Sequence, residues 1–236
     1  MRDYLKIHSG IQAPSSNPYQ ALDLFFERNS LPDVLDGITA ITEFLAISSP
    51  SSKPGWLRQV QRIFDQQHVK YAVDDRGTVR LRIDATFEAE REAILAGLIG
   101  NRYNAVRAEY ISAYAALSGA HPDGKSAVRG VFEACEVVFK LMFPTTRRIK
   151  APEIGNELTP LVVSRYANDL PALEAAKKLV QAFTAWVASA QFYRHGQDQE
   201  EPNQPPLEVA VMILSSGASH LRWLVHLDQA KLAAEQ

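Results

Sequence analysis

The feature that most constrains this chain is a pair of long apolar-periodic segments that flank a short polar turn, in the last third of the sequence. The first segment runs from about Pro171 to Arg194 and the second from Pro205 to about Ala233. In both, apolar side chains recur at steps of three and four, which is the period of an α-helix. Because proline suits the opening turn of a helix, Pro171 and Pro205 mark plausible helix starts. The sequence therefore predicts a hairpin of two long helices.

The charge balance limits which partners the chain can attract. Its 236 residues carry 25 basic and 27 acidic side chains, a formal net charge of −2. A global positive field of the kind that drives indiscriminate nucleic-acid binding is therefore excluded. Any contact with RNA has to come from a local group of side chains.

The cysteine count and the length of the apolar runs indicate the cellular compartment of the chain. The single cysteine, Cys135, lies in an apolar helical pattern, which excludes a disulfide framework and a cysteine-based zinc site. The longest apolar run is far shorter than a membrane span, and the first residues lack the apolar core of a signal peptide. These features predict a cytoplasmic protein without membrane contact, cofactor or metal.

The remaining pattern is helical apart from one pair of strands. HVKYAV and TVRLRI flank the turn Asp74–Gly77 and predict a β-hairpin, and the proline- and serine-rich run 48–55 predicts an exposed connector. We expect a mainly α protein, a helical bundle with one small β-hairpin and an N-terminal helical subdomain, divided into domains 1–83 and 84–236. Further helices are predicted at 17–28, 30–46, 56–67, 86–99, 102–117, 124–143 and 157–167.

The corner of the long hairpin carries Arg194, His195, Gly196 and Gln197. One interpretation is a plain helix end, in which Arg194 and His195 meet the last carbonyl groups and Gly196 stops the helix. The other interpretation is a site with chemistry at the corner. The sequence pattern leaves both open.

A narrow polar stripe follows the second long helix. At about 100° per residue, its members fall nearly one above another. The stripe is expected to face solvent, a partner or an active groove. It consists of Glu208, Ser215, Ser219, Arg222 and His226.

The order of features over residues 68–228 resembles a prokaryotic abortive-infection-like (AbiJ-like) family with a C-terminal HEPN domain. The resemblance rests on VKYAVDDRGTVRLRI, EAILAGLIGNRYNAVRAEYISAYAALSG, SAVRGVFEACEVVFK, RHGQ and LEVAVMILSSGASHLRWLV. In the third of these, Glu136 and Lys140 form an i,i+4 pair of the kind that decorates a helix surface. The family is an all-helical module often found as an RNase toxin.

The resemblance implies a metal-independent endoribonuclease with an R-x(4–6)-H motif and a symmetric homodimer cleft. His195 would act as base or contact the 2′-hydroxyl, Gln197 would position RNA, and an arginine would stabilise the phosphate. The motif is degenerate, because no arginine stands at 188–190. Arg194 or Arg222 is left as the arginine.

A second candidate motif runs from Arg222 to His226, with three intervening residues instead of four to six, and places His226 among the candidate RNA-contacting residues. The expected partners are a second copy of the chain, RNA, and an antitoxin or regulatory protein of unknown identity. The alternative is a non-catalytic helical module for dimerisation or regulation. The other histidines lack metal-ligand spacing and are predicted to lie on the surface: His8, His68, His121 and His220.

Overall fold

The computed structural model describes residues 24–194 and 204–234, and helices make up most of them. A single two-stranded antiparallel sheet is present in this part of the chain. The predicted mainly α fold with one small β-hairpin is thereby confirmed. The chain divides into two compact units, of which the first contains residues 24–83 and Ser118–Pro122, and the second contains 84–117 and 123–234.

The first unit consists of helical residues 24–28 followed by two longer helices and the sheet. A capping box begins α1, since Ser30 accepts a hydrogen bond from the backbone of Asp33, whose carboxylate accepts one from Ser30 in return. The elements are α1 (Leu31–Ser48), α2 (Lys53–Gln66), β1 (Tyr71–Val73) and β2 (Val79–Leu81).

The turn of the β-hairpin requires a glycine. Gly77 has φ +93°, and a Cβ at this position would overlap the side chain of Thr42 in α1. Tyr71 pairs with Leu81 and Val73 with Val79, so each strand is three residues long, half the predicted length.

The connector predicted at 48–55 is shorter than expected. α2 begins inside it at Lys53, and Pro54 lies in the first turn of that helix, where proline is well tolerated. The remaining residues join α1 to α2 within one unit. Pro54 therefore belongs to a helix start, whereas Pro50 lies in the turn between the two helices.

The second unit is an all-helical bundle around α5. The most extensive packing in it joins α5 and α8, whereas the two arms of the predicted hairpin, α7 and α8, share a smaller interface. The elements are α3 (Ala85–Gly97), a 3₁₀ turn (Asn101–Tyr103), α4 (Asn104–Ser118), α5 (Gly124–Met142), α6 (Ala151–Arg165), α7 (Leu170–Arg194) and α8 (Leu207–Ala234).

The arms of the hairpin run antiparallel and are joined by Trp186. Its indole Nε1 donates a hydrogen bond to the carbonyl of Ile213, 2.9 Å away. The indole ring also lies against Gly217, and the absence of a side chain there allows α8 to pass close to Trp186. The packing of α7 against α8 at this point therefore depends on the indole ring of Trp186 and on the absence of a side chain at Gly217.

The pair Glu136 and Lys140 does more than decorate a surface, which corrects the sequence prediction. Glu136 is buried, and its Oε2 lies 3.2 Å from Lys140 Nζ. Its Oε1 accepts a hydrogen bond from the backbone of Ile149 at 3.3 Å. The carboxylate therefore ties the segment that precedes α6 to α5.

Among residues 24–194 and 204–234, no helix combines the length and the apolar character needed to cross a membrane.

Candidate functional site

The corner between α7 and α8 lies largely outside the described residues. His195 and Gln197 fall there, so the prediction about their role stays a prediction. Arg194 is described as the last residue of α7, although its side chain is not. What the structure provides is the position of the two helices from which the corner departs.

A second group of candidate residues lies on the outer surface of α8. Arg222 and His226 are both exposed and follow each other by one turn, so their side chains share one face of the helix. The imidazole Nε2 of His226 lies 3.5 Å from Nη2 of Arg165, at the end of α6. Since a guanidinium only donates, this contact needs an unprotonated Nε2 on the histidine.

We call Arg165, Arg222 and His226 the α8 basic cluster. In the described part of the chain, no carboxylate forms an ion pair with either arginine. The Arg165 guanidinium also lies over the ring of Tyr166, with 5.7 Å between Cζ and the ring centroid. Two guanidinium groups and an imidazole without a paired acid make a suitable cradle for a phosphate.

The end of α7 and the α8 basic cluster lie far apart within one chain. Arg222 follows Leu207, the first residue of α8, by fifteen positions, which corresponds to about 22 Å along the helix axis. The antiparallel arms place the end of α7 near the start of α8, because Phe183 contacts His220 while Trp186 contacts Ile213. The structure therefore brings Arg222 and His226 together, but it does not bring them to Arg194.

His220 is half-buried, which corrects its prediction as a surface residue. Its ring lies 5.3 Å from that of Phe183 and 5.7 Å from that of Trp186, and desolvation in this aromatic contact lowers its pKa. The apolar stripe of α8 is wider than predicted and includes this position. His68 and His121 are exposed as predicted, and His8 lies outside the described residues.

The most buried charge in the described second unit is Asp228, which sequence reasoning missed. Its two oxygens accept hydrogen bonds from Nε and Nη2 of Arg102, each 2.8 Å long, and Oδ2 also accepts one from Tyr103 at 2.7 Å. Arg102 donates further to the carbonyl of Leu141 at 2.9 Å. Because its oxygens are occupied by protein donors, Asp228 is a structural residue. The sequence signal for this residue was an acidic side chain on the apolar face of α8, two helical turns after Leu221.

The single cysteine is also structural. Cys135 is fully buried in α5, as its apolar surroundings predicted, and desolvation raises the pKa of its thiol. Its Sγ contacts the carbonyl of Gly217 at 3.6 Å. In the described ranges, no three His, Cys, Asp or Glu side chains are grouped in a way that could hold a metal ion.

Comparison with protein-family models, with curated proteins and with solved structures yields no match for this chain.

Proposed function

We propose that this chain acts on RNA as a HEPN-type defence or toxin-like protein, with the α8 basic cluster as its RNA contact. The observation that carries the proposal is the 3.5 Å approach of Arg165 to His226 on an exposed surface beside Arg222. Since the chain as a whole is not basic, a local cationic group is the form in which it would meet RNA. An RNA phosphate would supply the anionic acceptor that the two guanidinium groups lack among the described residues.

In this proposal the corner performs the chemistry. His195 would remove the proton of a 2′-hydroxyl, and the guanidinium of Arg194 would stabilise the charge that develops on the scissile phosphate. Within one chain, an RNA strand of several nucleotides would be needed to reach from the α8 basic cluster to the end of α7. In a homodimer the two groups could also come from different copies.

RNA binding measured against salt concentration tests the role of the α8 basic cluster. Each phosphate contact to a single strand contributes a slope of roughly 0.7 to the dependence of log affinity on log salt. We expect the double variant Arg165→Gln and Arg222→Gln to weaken binding of an unstructured RNA and to reduce that slope by about 1.4.

The matched control is the double variant Arg129→Gln and Lys178→Gln, which removes the same charge from α5 and α7 in the same unit. It should leave the slope close to that of the wild type. An equal reduction in both double variants would show that net charge, and not this site, governs binding.

A second candidate function is a non-catalytic module for dimerisation or regulation. It is favoured by two large apolar side chains near the facing ends of α7 and α8: Phe192 is 75% exposed and Met212 is 68% exposed. In this function the two side chains would belong to a contiguous apolar patch, which is the kind of surface that meets another protein. A stable homodimer in sedimentation that neither binds nor cleaves RNA would support this function over the first.

A further inference from the structure

The segment between α5 and α6 carries three exposed basic side chains within four consecutive residues. We call Arg147, Arg148 and Lys150 the loop cations. In the part of the chain that the structure describes, none of them forms an ion pair. Arg129 of α5 is also exposed, but it pairs with Glu133 at 2.8 Å. The loop therefore presents positive charge that no described carboxylate neutralises.

The backbone of this loop is fixed at a buried isoleucine. The N–H of Ile149 donates to Oε1 of Glu136 at 3.3 Å, and its carbonyl accepts a hydrogen bond from Nε2 of Gln191 at 3.5 Å. Lys150 has φ −140° and ψ 166°, so the chain is extended there, and side chains of an extended chain alternate in direction. Because Ile149 points inward, Arg148 and Lys150 on either side of it point outward, in agreement with their exposure.

The contact with Gln191 places the loop beside the end of α7. Gln191 stands three residues before Arg194, the last residue of α7, which corresponds to about 4.5 Å along the helix axis and about 60° around it. Positions three apart lie on one side of a helix. The loop therefore lies on the side of α7 that carries position 194, within about one helical turn of the helix end.

The loop cations and the α8 basic cluster lie at opposite ends of α6. Lys150 is the N-cap of α6 and Arg165 is its last residue, so their Cα atoms are separated by about 22 Å along the helix. Glu153, in the first turn of α6, is the nearest acidic residue in sequence, and it forms no described ion pair with the loop cations. A single anionic group cannot reach both cationic groups, whereas a flexible strand with a charge at each residue can.

We propose that the loop cations are a second RNA contact, which binds phosphates of the strand beside the end of α7. The inference rests on the proposed action on RNA and adds the surface that holds the strand next to the corner. Each cation neutralises a phosphate and releases its counterions, without reading the base sequence. A strand that meets both groups gains from each, because the second contact forms within the same complex.

Fluorescence anisotropy of the full chain with a labelled 2′-O-methyl oligouridylate of about twelve nucleotides tests the proposal. This probe has no free 2′-hydroxyl along the strand, so binding is measured apart from cleavage. The double variant Arg148→Gln and Lys150→Gln should weaken binding and reduce the slope of log affinity against log salt by about 1.4. The double variant Arg148→Lys and Lys150→Arg keeps both charges and should keep the wild-type slope, as should Arg129→Gln with Lys178→Gln.

The outcomes separate this proposal from the proposed function. Undiminished binding by Arg148→Gln with Lys150→Gln, while Arg165→Gln with Arg222→Gln weakens it, would overturn the loop contact and leave the action on RNA standing. Absence of binding by the wild type would contradict both. A loop variant that loses binding of labelled polyglutamate but keeps that of the RNA probe would assign the loop to an acidic protein partner, and would overturn the proposal as well.

Discussion

Replacing Arg102 by alanine is expected to lower the free energy of unfolding by about 3 kcal/mol, the low end of the range for breaking a buried ion pair. Asp228 is 1% exposed, and the change leaves its buried carboxylate with Tyr103 as the remaining side-chain donor among its described contacts. The low end applies because the Arg102 side chain is 35% exposed and water would partly replace it. Urea denaturation followed by circular dichroism measures the effect.

The effect of the Arg102 variant should depend on pH. Burial alone would raise the pKa of Asp228, but the hydrogen bonds from Arg102 and Tyr103 outweigh it and lower the pKa below its usual value. In the wild type this contribution is present above the unfolded pKa, about 3.9, and is lost as pH falls through the folded pKa. In the variant, Asp228 can take up a proton at higher pH, so the difference in stability should shrink as pH falls from 7 towards 4.

An exposed ion pair provides the control for this prediction. Arg82 lies 3.2 Å from Asp65, and both side chains are largely exposed. Arg82→Ala should cost less than about 1 kcal/mol, with little change over the same pH range. A penalty for Arg102→Ala that is as small as this, or that does not vary with pH, would contradict the structural role assigned to Asp228.

Gly217→Ala is expected to destabilise the protein by about 2 kcal/mol, although alanine is the better helix former. A Cβ at this position would lie 2.5 Å from Cζ2 of Trp186 and 2.8 Å from Cγ2 of Val131. The indole cannot easily move, because it is hydrogen-bonded to Ile213 and stacked on Phe183 with 5.8 Å between ring centroids. Overpacking of roughly 3 kcal/mol therefore exceeds the gain in helix propensity of about 1 kcal/mol.

Gly155 provides a control of opposite sign for the Gly217 variant. It lies within α6, and a Cβ there would meet no atom within 4 Å. Gly155→Ala should stabilise the protein by up to about 1 kcal/mol. If both alanine variants stabilise it, α8 does not pass Trp186 as closely as the structure describes.

Periodicity was sufficient to predict the helices of this protein, whereas proline led to errors at their ends. α6 was predicted from residue 157, yet it begins at Ala151, with Pro152 in its first turn and Pro160 inside it. The same error shortened α2 in the prediction, because Pro54 belongs to its first turn. The neighbouring residues do not distinguish a proline that starts a helix from one that breaks it, and tertiary packing decides between them.

The candidate site could be predicted only in part, because its members come from different helices. The stripe on α8 correctly placed Arg222 and His226 on one exposed face. Nothing in the sequence pairs Arg165 with His226, since they are joined by the packing of two helices that are distant in sequence. The separation of Arg222 from the end of α7 follows from the length of α8, and the sequence already predicted that length in the segment from Pro205 to about Ala233.

Incubation of the purified chain with tRNA and mRNA in the presence of a chelator tests the proposed function most directly. The comparison includes Arg194→Ala, His195→Ala and, as control, His121→Ala at an exposed histidine of the first unit. We expect cleavage by the wild type and the control, and a loss of at least 100-fold in the His195 variant at equal folding and oligomeric state, within the range for a general base. RNA left intact by the folded wild type, or cleavage undiminished by His195→Ala, would contradict it.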